Sequence, residues 1–439
     1  MRILKPVVAQ VMTWSVLCVM LSAMGVLSTR NVVRASRSSA AEITADPRVR
    51  QALAKLAGEA ASVTEEQIRI TEIPAPTFRE SLRGTHLAKL LSDAGLKVHT
   101  DPAGNVIGER AGSAKGEFVL VTAHLDTVFP AGTDVHVRRE GSKLWAPGIS
   151  DNGAGLATLP AIARIMRDTK LETRSSILFV ADVGEEGEGN LRGIRKLVEN
   201  YRKQLRYVIA LDGASIDYVT TAALASRRVE IAISGPGGHS WSDFGAPNPI
   251  NALARGIALF VKTPAPDSPR TTFNIGSIEG GTSVNSIPAN ASIKVDLRSE
   301  SEPDILKLEA TLRRAIQTGA DEEMQAAREH GMSGGAGLSV DVKVLGVRPG
   351  GELADNSPLL AAVQAADDYL GNRARIERSS TDANIPLSLG IPAIAFGAGG
   401  TSGGAHSVQE WYDPTGREIG MQRVLLTLLQ VAGLNPPTD

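Results

Sequence analysis

Five short polar clusters carry the chemistry available to this chain. They are AHLDT with His124 and Asp126, GISDNGAG with Asp151, GEEGEGN with Glu185 and Glu186, ALDG with Asp212, and GGAHS with His406. Singly, each has a structural explanation. Asp151 before NGAG could cap a helix, Asp212-Gly213 could be a turn, and His406 could be a hydrogen-bonded loop histidine. Together, two histidines and several carboxylates at or beside the ends of apolar segments favour a metal centre. Imidazole and carboxylate without thiolate suit zinc, with cobalt or manganese as alternatives. More than four candidate ligands points to two divalent cations sharing a bridging carboxylate, about 3.5–4 Å apart.

The GEEGEGN loop raises the sharpest question, because it places three glutamates among three glycines directly after an apolar strand. Carboxylates that close repel one another unless solvent or positive charge intervenes. Two cations would supply that charge and leave one glutamate free. A metal lowers the pKa of a bound water to about 7, and a nearby free carboxylate can take its proton. Glu185 and Glu186 are adjacent, so their side chains diverge: one can bind metal while the other faces the water. The glycines allow the backbone to turn sharply around them.

Those clusters need elements to bring them together. GEFVLVTAHLDTV, SSILFVADV and YVIALDG are near-continuous apolar strands, separated by the helices GAGLATLPAIARIMRDT and NLRGIRKLVENYRKQL. That alternation predicts an α/β fold with a mostly parallel sheet flanked by helices. In such sheets ligands bind beyond the carboxyl ends of the strands, where AHLDT, GEEGEGN and ALDG lie. An earlier helix is predicted in FRESLRGTHLAKLLSDAGL, with apolar residues at helical spacing. Near Leu224 the pattern changes. ASRRVEIAIS alternates like a half-exposed strand, followed by a helix, two strands, a long polar helix and a final strand, LSVDVKVLGV. That order predicts an inserted α+β ferredoxin-like domain. After RPGGE the first style resumes. The expected organisation is a catalytic domain in two parts, residues 46–223 and 347–439, with the insertion at residues 224–346. HGMSGGAG reads as a loop tip.

Composition narrows the classes. A chain of 439 residues has room for two domains. A net charge of −2 and an aromatic content of 4% argue against a nucleic-acid partner. The first residues differ from the rest: Arg2 and Lys5 precede an apolar run from Pro6 to about Leu27, and a basic, polar stretch follows. This reads as a secretory signal over residues 1–35, with Ala35 a plausible cleavage point, and an uncleaved membrane anchor as the alternative. The expected location is therefore outside the cytoplasm. The sole cysteine, Cys18, lies inside this segment, so the mature chain would have no disulfide and no thiol nucleophile.

HLDTV, GISDNGAG, GEEGEGNLRG, LDG, GPGGHS and GAHS, in this order, resemble the di-zinc peptidase family. That family holds peptidase T, the aminoacylases, the acetylornithine and succinyl-diaminopimelate deacylases and the glutamate carboxypeptidases. The resemblance covers nearly the whole mature chain and implies the two-domain layout, with the insertion as lid and dimerisation surface. It also implies roles. His124 and Asp212 would bind one ion, Glu186 and His406 the other, and Asp151 would bridge them. Glu185 would be the general base that later protonates the leaving amine, and Asp126 would orient His124. His239 in GPGGHS resembles the lid histidine that stabilises the oxyanion, from the partner subunit in dimeric relatives. Asn285 and Arg298 resemble lid residues near the substrate, and Gly399 and Gly400 are expected to give it backbone room. The loop departs from the usual Asp-Glu-Glu start at Gly184. His86, His99, His136 and His330 match no motif and read as surface or structural residues.

The function this implies is metal-dependent hydrolysis of amide bonds in short peptides. An N-acyl-amino-acid deacylase is the alternative, since both use the same tetrahedral intermediate. A non-catalytic binding protein on the same fold would be marked by loss of Glu185 or a ligand, and none is missing. A homodimer through the lid is expected from the resemblance alone.

Overall fold

The computed structural model describes residues 41–331 and 337–437. The signal or anchor segment, residues 1–35, lies outside the described residues, as does the middle of the HGMSGGAG loop. Among the described residues no helix is long and apolar enough to cross a membrane.

The first long element is a helix over Pro47–Thr71, which the sequence reading leaves unassigned. Asp46 caps it by accepting the Arg48 backbone N–H at 2.8 Å, and proline occupies the first turn, where its missing N–H costs nothing. The helix anticipated in FRESLRGTHLAKLLSDAGL spans Ser81–Asp93.

Among the described residues nine strands form the large sheet. Its centre is parallel: Ser176–Asp182, Phe118–His124, Leu205–Leu211 and Ala393–Phe396 lie side by side in that order. Both flanks carry antiparallel strands, with Val106–Arg110 beside Ser176–Asp182 and Tyr218–Ala223 beside Ala393–Phe396. Every residue of Ser176–Asp182 is buried, as are Val119 to His124 in the next strand. Alternation disappears from such strands because protein covers both faces. Helices Pro47–Thr71, Gly153–Asp168 and Arg417–Ala432 pack against one another around this core.

A second sheet contains Thr271–Gly280, Asn290–Ser299, Ala225–Ser234 and Ser339–Arg348 in that spatial order, all antiparallel. Val229, Ile231 and Ile233 alternate into a separate apolar core, together with residues of helices Pro249–Phe260 and Glu302–Glu329. The period-two burial follows from helices covering one face only. The chain returns to the large sheet immediately after Arg348, through Gly351–Glu352 beside Tyr218–Ala223.

Candidate metal centre and its comparisons

The four central strands deliver their carboxyl ends to one place. His124 is the last residue of its strand, Glu185 and Glu186 follow Ser176–Asp182 by a few residues, and Asp212 follows Leu205–Leu211 directly. The Asp212 backbone N–H donates to the Phe396 carbonyl at 3.1 Å, tying it to the neighbouring strand. Asp151 arrives from a loop. Its neighbour Asn152 is the N-cap of helix Gly153–Asp168 but makes no side-chain cap bond. Instead the Asn152 amide donates to the Leu211 carbonyl at 2.7 Å, which draws this loop to the strand that carries Asp212. Asp151 therefore does not act as a helix cap. Its carboxylate lies between the two histidines.

The distances are short. His124 Nε2 stands 3.0 Å from Asp151 Oδ1, and His406 Nε2 stands 3.1 Å from Asp151 Oδ2 and 2.9 Å from Glu186 Oε1. His124, Asp151 and Asp212 form one group whose potential ligand atoms all lie within 4.8 Å of one another; Asp151, Glu186 and His406 form a second. Asp151 belongs to both. Glu185 forms a third such group with His124 and Glu186. Imidazole and carboxylate donors in two triads sharing one carboxylate fit two divalent cations.

Burial and the mutual repulsion of the carboxylates set the protonation of this cluster. Burial pushes the Asp212 carboxyl up to about 8, and the Asp151 charge adds to it. Burial also raises Glu186 to about 7, against the opposing pull of His406. Burial acts to raise Asp151 too, but hydrogen bonds from His124 and His406 outweigh it and hold this carboxyl well below the usual range. Hydrogen bonds to Asp151 and Glu186 lift the His406 imidazole to about 11. Cations held here would displace those protons, since metal ligands bind in their deprotonated forms.

Asp126 reaches His124 mainly through its backbone. The imidazole of His124 is held by the Asp126 main-chain carbonyl, 3.0 Å from Nδ1, while the carboxylate is 3.7 Å away. That carboxylate instead accepts the backbone N–H groups of Glu185 and Glu186, each at 3.0 Å, and the Thr77 hydroxyl at 2.8 Å. It shapes the turn that carries both glutamates. Gly184 begins that turn at φ +67, where a Cβ would run into the Arg192 guanidinium. Arg192 is itself held by both oxygens of Glu80 at 2.8 Å. The departure from Asp-Glu-Glu thus makes room for an arginine.

A polar cavity of about 250 Å³ opens beside the cluster. Asp151, Glu185, Glu186, Asp212 and His406 form one wall, and Arg228, Arg298 and Arg348 come from the smaller sheet. Arg298 is the one lid residue from the sequence reading that lines it. His239 and Asn285 do not. Both are exposed: His239 ends the short strand Gly238–His239, which pairs with Ser286–Ile287 in a separate two-stranded sheet, and Asn285 directly precedes that partner, its carbonyl accepting the Ser240 N–H at 3.0 Å. Gly399 and Gly400 do not line it either. They are buried at φ +103 and +87, and a Cβ would meet the Arg417 carbonyl at the first and the Asp413 carbonyl and Tyr412 ring at the second. Their lack of a side chain serves packing there.

Two residues the sequence reading passes over belong here. Glu410 is fully buried, and its carboxylate accepts the N–H groups of Gly148, Ser150 and Asp151 at 2.7, 2.8 and 2.9 Å. A carboxylate four residues past His406 was its only signal. Arg348 pairs with Glu185 at 2.8 Å, and nothing local in GVRPGG announces this.

Residues 120–430 match the peptidase family M20/M25/M40, and the chain belongs to that family of hydrolases. It is 26% identical to an uncharacterised protein, YqjE, of Bacillus subtilis, over 76% of this chain and 89% of that one. It is also 26% identical to acetylornithine deacetylase of Edwardsiella ictaluri, over 72% of this chain and 82% of the relative. The crystal structure of aminopeptidase PepT from Bacillus cereus superimposes with a TM-score of 0.64 at 24% identity, covering 85% of this chain and 99% of that chain. That likeness extends to the fold.

Proposed function

We propose that this protein hydrolyses amide bonds in short peptides, using two divalent cations, zinc first among them, and Glu185 as general base. The observation that carries this reading is Asp151 shared between two histidine-carboxylate triads, with Glu185 beside both and bound to neither histidine. When bound, the cations would polarise the amide carbonyl and acidify the attacking water. His124 and Asp212 would hold one, Glu186 and His406 the other, and Asp151 both. Glu185 would take the proton from the water and return it to the departing nitrogen. Asp126 holds the two glutamates in their divergent directions through their amides. The small, charged cavity suits short substrates, being below the roughly 300–1,000 Å³ of drug-sized pockets. Arg298 would meet a substrate carboxylate. The N-terminal segment makes export the proposed destination.

The likeness to an acetylornithine deacetylase supports a second reading, N-acyl-amino-acid deacylation, through the same residues. Zinc-loaded protein assayed on di- and tripeptides beside N-acetyl amino acids separates the two. Turnover that resists chelation, or full activity in Glu185→Ala, would sink both.

A further inference from the structure

Three arginines line the cavity, and they are not equivalent. Arg298 is 39% exposed in its side chain and makes an ion pair with Asp296 at 2.6 Å, leaving a face toward the cavity. Arg228 donates to Asp296 and to the Gly187 carbonyl. Arg348 is only 4% exposed, and its guanidinium is committed to Glu185. Nη1 donates to Glu185 Oε1 at 2.8 Å and to Ser380 Oγ at 3.1 Å, and Nη2 donates to the Glu185 main-chain carbonyl. One planar group therefore grips the carboxylate and the backbone of the same residue. On the other side of that residue, Asp126 accepts the Glu185 N–H.

Stability alone does not account for this arrangement. Among the described residues the Arg348 Nε is buried without a hydrogen-bond partner, and an unmade buried bond is destabilising. A buried ion pair is itself often no more stabilising than apolar packing of the same volume. What the pair does supply is direction. A carboxylate has free rotation about its last bonds, and a guanidinium that holds both its oxygen and its carbonyl removes that freedom. Arg348 ends the strand Ser339–Arg348, in register with Ser226 of the smaller sheet. The preceding residue, Val347, accepts a hydrogen bond from Arg195 on helix Arg192–Tyr201. The strand end is thus fixed to both halves of the molecule.

We propose that Arg348 is a positioning residue that aims the Glu185 carboxylate, coupling the proton-transferring group to the smaller sheet. This rests on the reading of Glu185 as general base. Arg348 does not touch substrate in this assignment. Lysine would be a poor replacement, because a point charge cannot grip two oxygens in a fixed plane.

The test is a double-mutant cycle on the zinc-loaded protein with Arg348→Met, Glu185→Gln and the pair, reading kcat, KM and bound zinc. Arg348→Met should lower kcat about 10–100-fold, the range for residues that orient active groups, with KM and zinc content nearly unchanged. Arg348→Lys should recover only part of the loss. In the Glu185→Gln background, Arg348→Met should cost nothing further. The proposal is overturned if the same fold-loss appears in that background, if the loss lies in KM alone, or if it follows loss of zinc. If the methionine variant does not fold, Arg348→Lys carries the same cycle. Full activity of Glu185→Gln by itself would instead overturn the assignment of the base.

Discussion

Glu410 accepts the backbone N–H of Asp151 at 2.9 Å across 259 residues of sequence. It also holds Gly148 and Ser150, so one buried carboxylate organises the loop that presents the shared Asp151. Glu410→Ala would leave three N–H groups without that acceptor. Metal affinity should fall about 10–100-fold, measured by titrating the chelated protein with zinc. Unchanged affinity would mean that Asp151 is held by the histidines alone.

Cation-free protein should lose stability as pH rises from about 4 to about 8. Asp212 titrates near 8 and Glu186 near 7 in the folded chain, against about 4 in an unfolded one. Between those values the native state binds more protons than the unfolded state, so stability falls with increasing pH. Metal binding should release protons in that window, and zinc should raise the melting temperature more at pH 8 than at pH 6. Calorimetry in buffers of different ionisation enthalpy would count the protons; no release would contradict the protonated state of these carboxyls.

Gly184→Ala places a side chain at φ +67 against Arg192. The left-handed conformation alone costs about 1–2 kcal/mol for a residue with a Cβ. Thermal unfolding should register at least that loss, with kcat reduced through the displaced turn. An unaffected melting temperature would show that Arg192 and the loop can yield.

His239 is exposed and lies outside the cavity formed by its own chain. If it serves a partner's site, mixed dimers of Glu185→Gln and His239→Ala chains should regain activity that neither has alone. Each such dimer pairs one intact base with one intact His239. Absence of recovery, with the chain monomeric by sedimentation, would remove His239 from the reaction.

Several features were legible along the chain because they depend on near neighbours. Continuous apolar runs marked strands buried on both faces, and the switch to alternation at ASRRVEIAIS marked the half-covered sheet. Histidine and carboxylate at strand ends marked the donor set. The helix Pro47–Thr71 and the antiparallel flanks were less visible. They depend on what packs against them as much as on their own pattern.

The order and chemistry of the donor clusters are properties of the sequence, since strand ends and glycine turns are set by local sterics and burial. Tertiary packing alone decided that the Asp126 carboxylate serves the amides of Glu185 and Glu186 while its carbonyl orients His124. It also decided that Gly399 and Gly400 sit against backbone, and that Arg348 reaches Glu185 from 163 residues away. A side chain's partner across such a span depends on how two sheets with separate apolar cores are juxtaposed, and no local period encodes that.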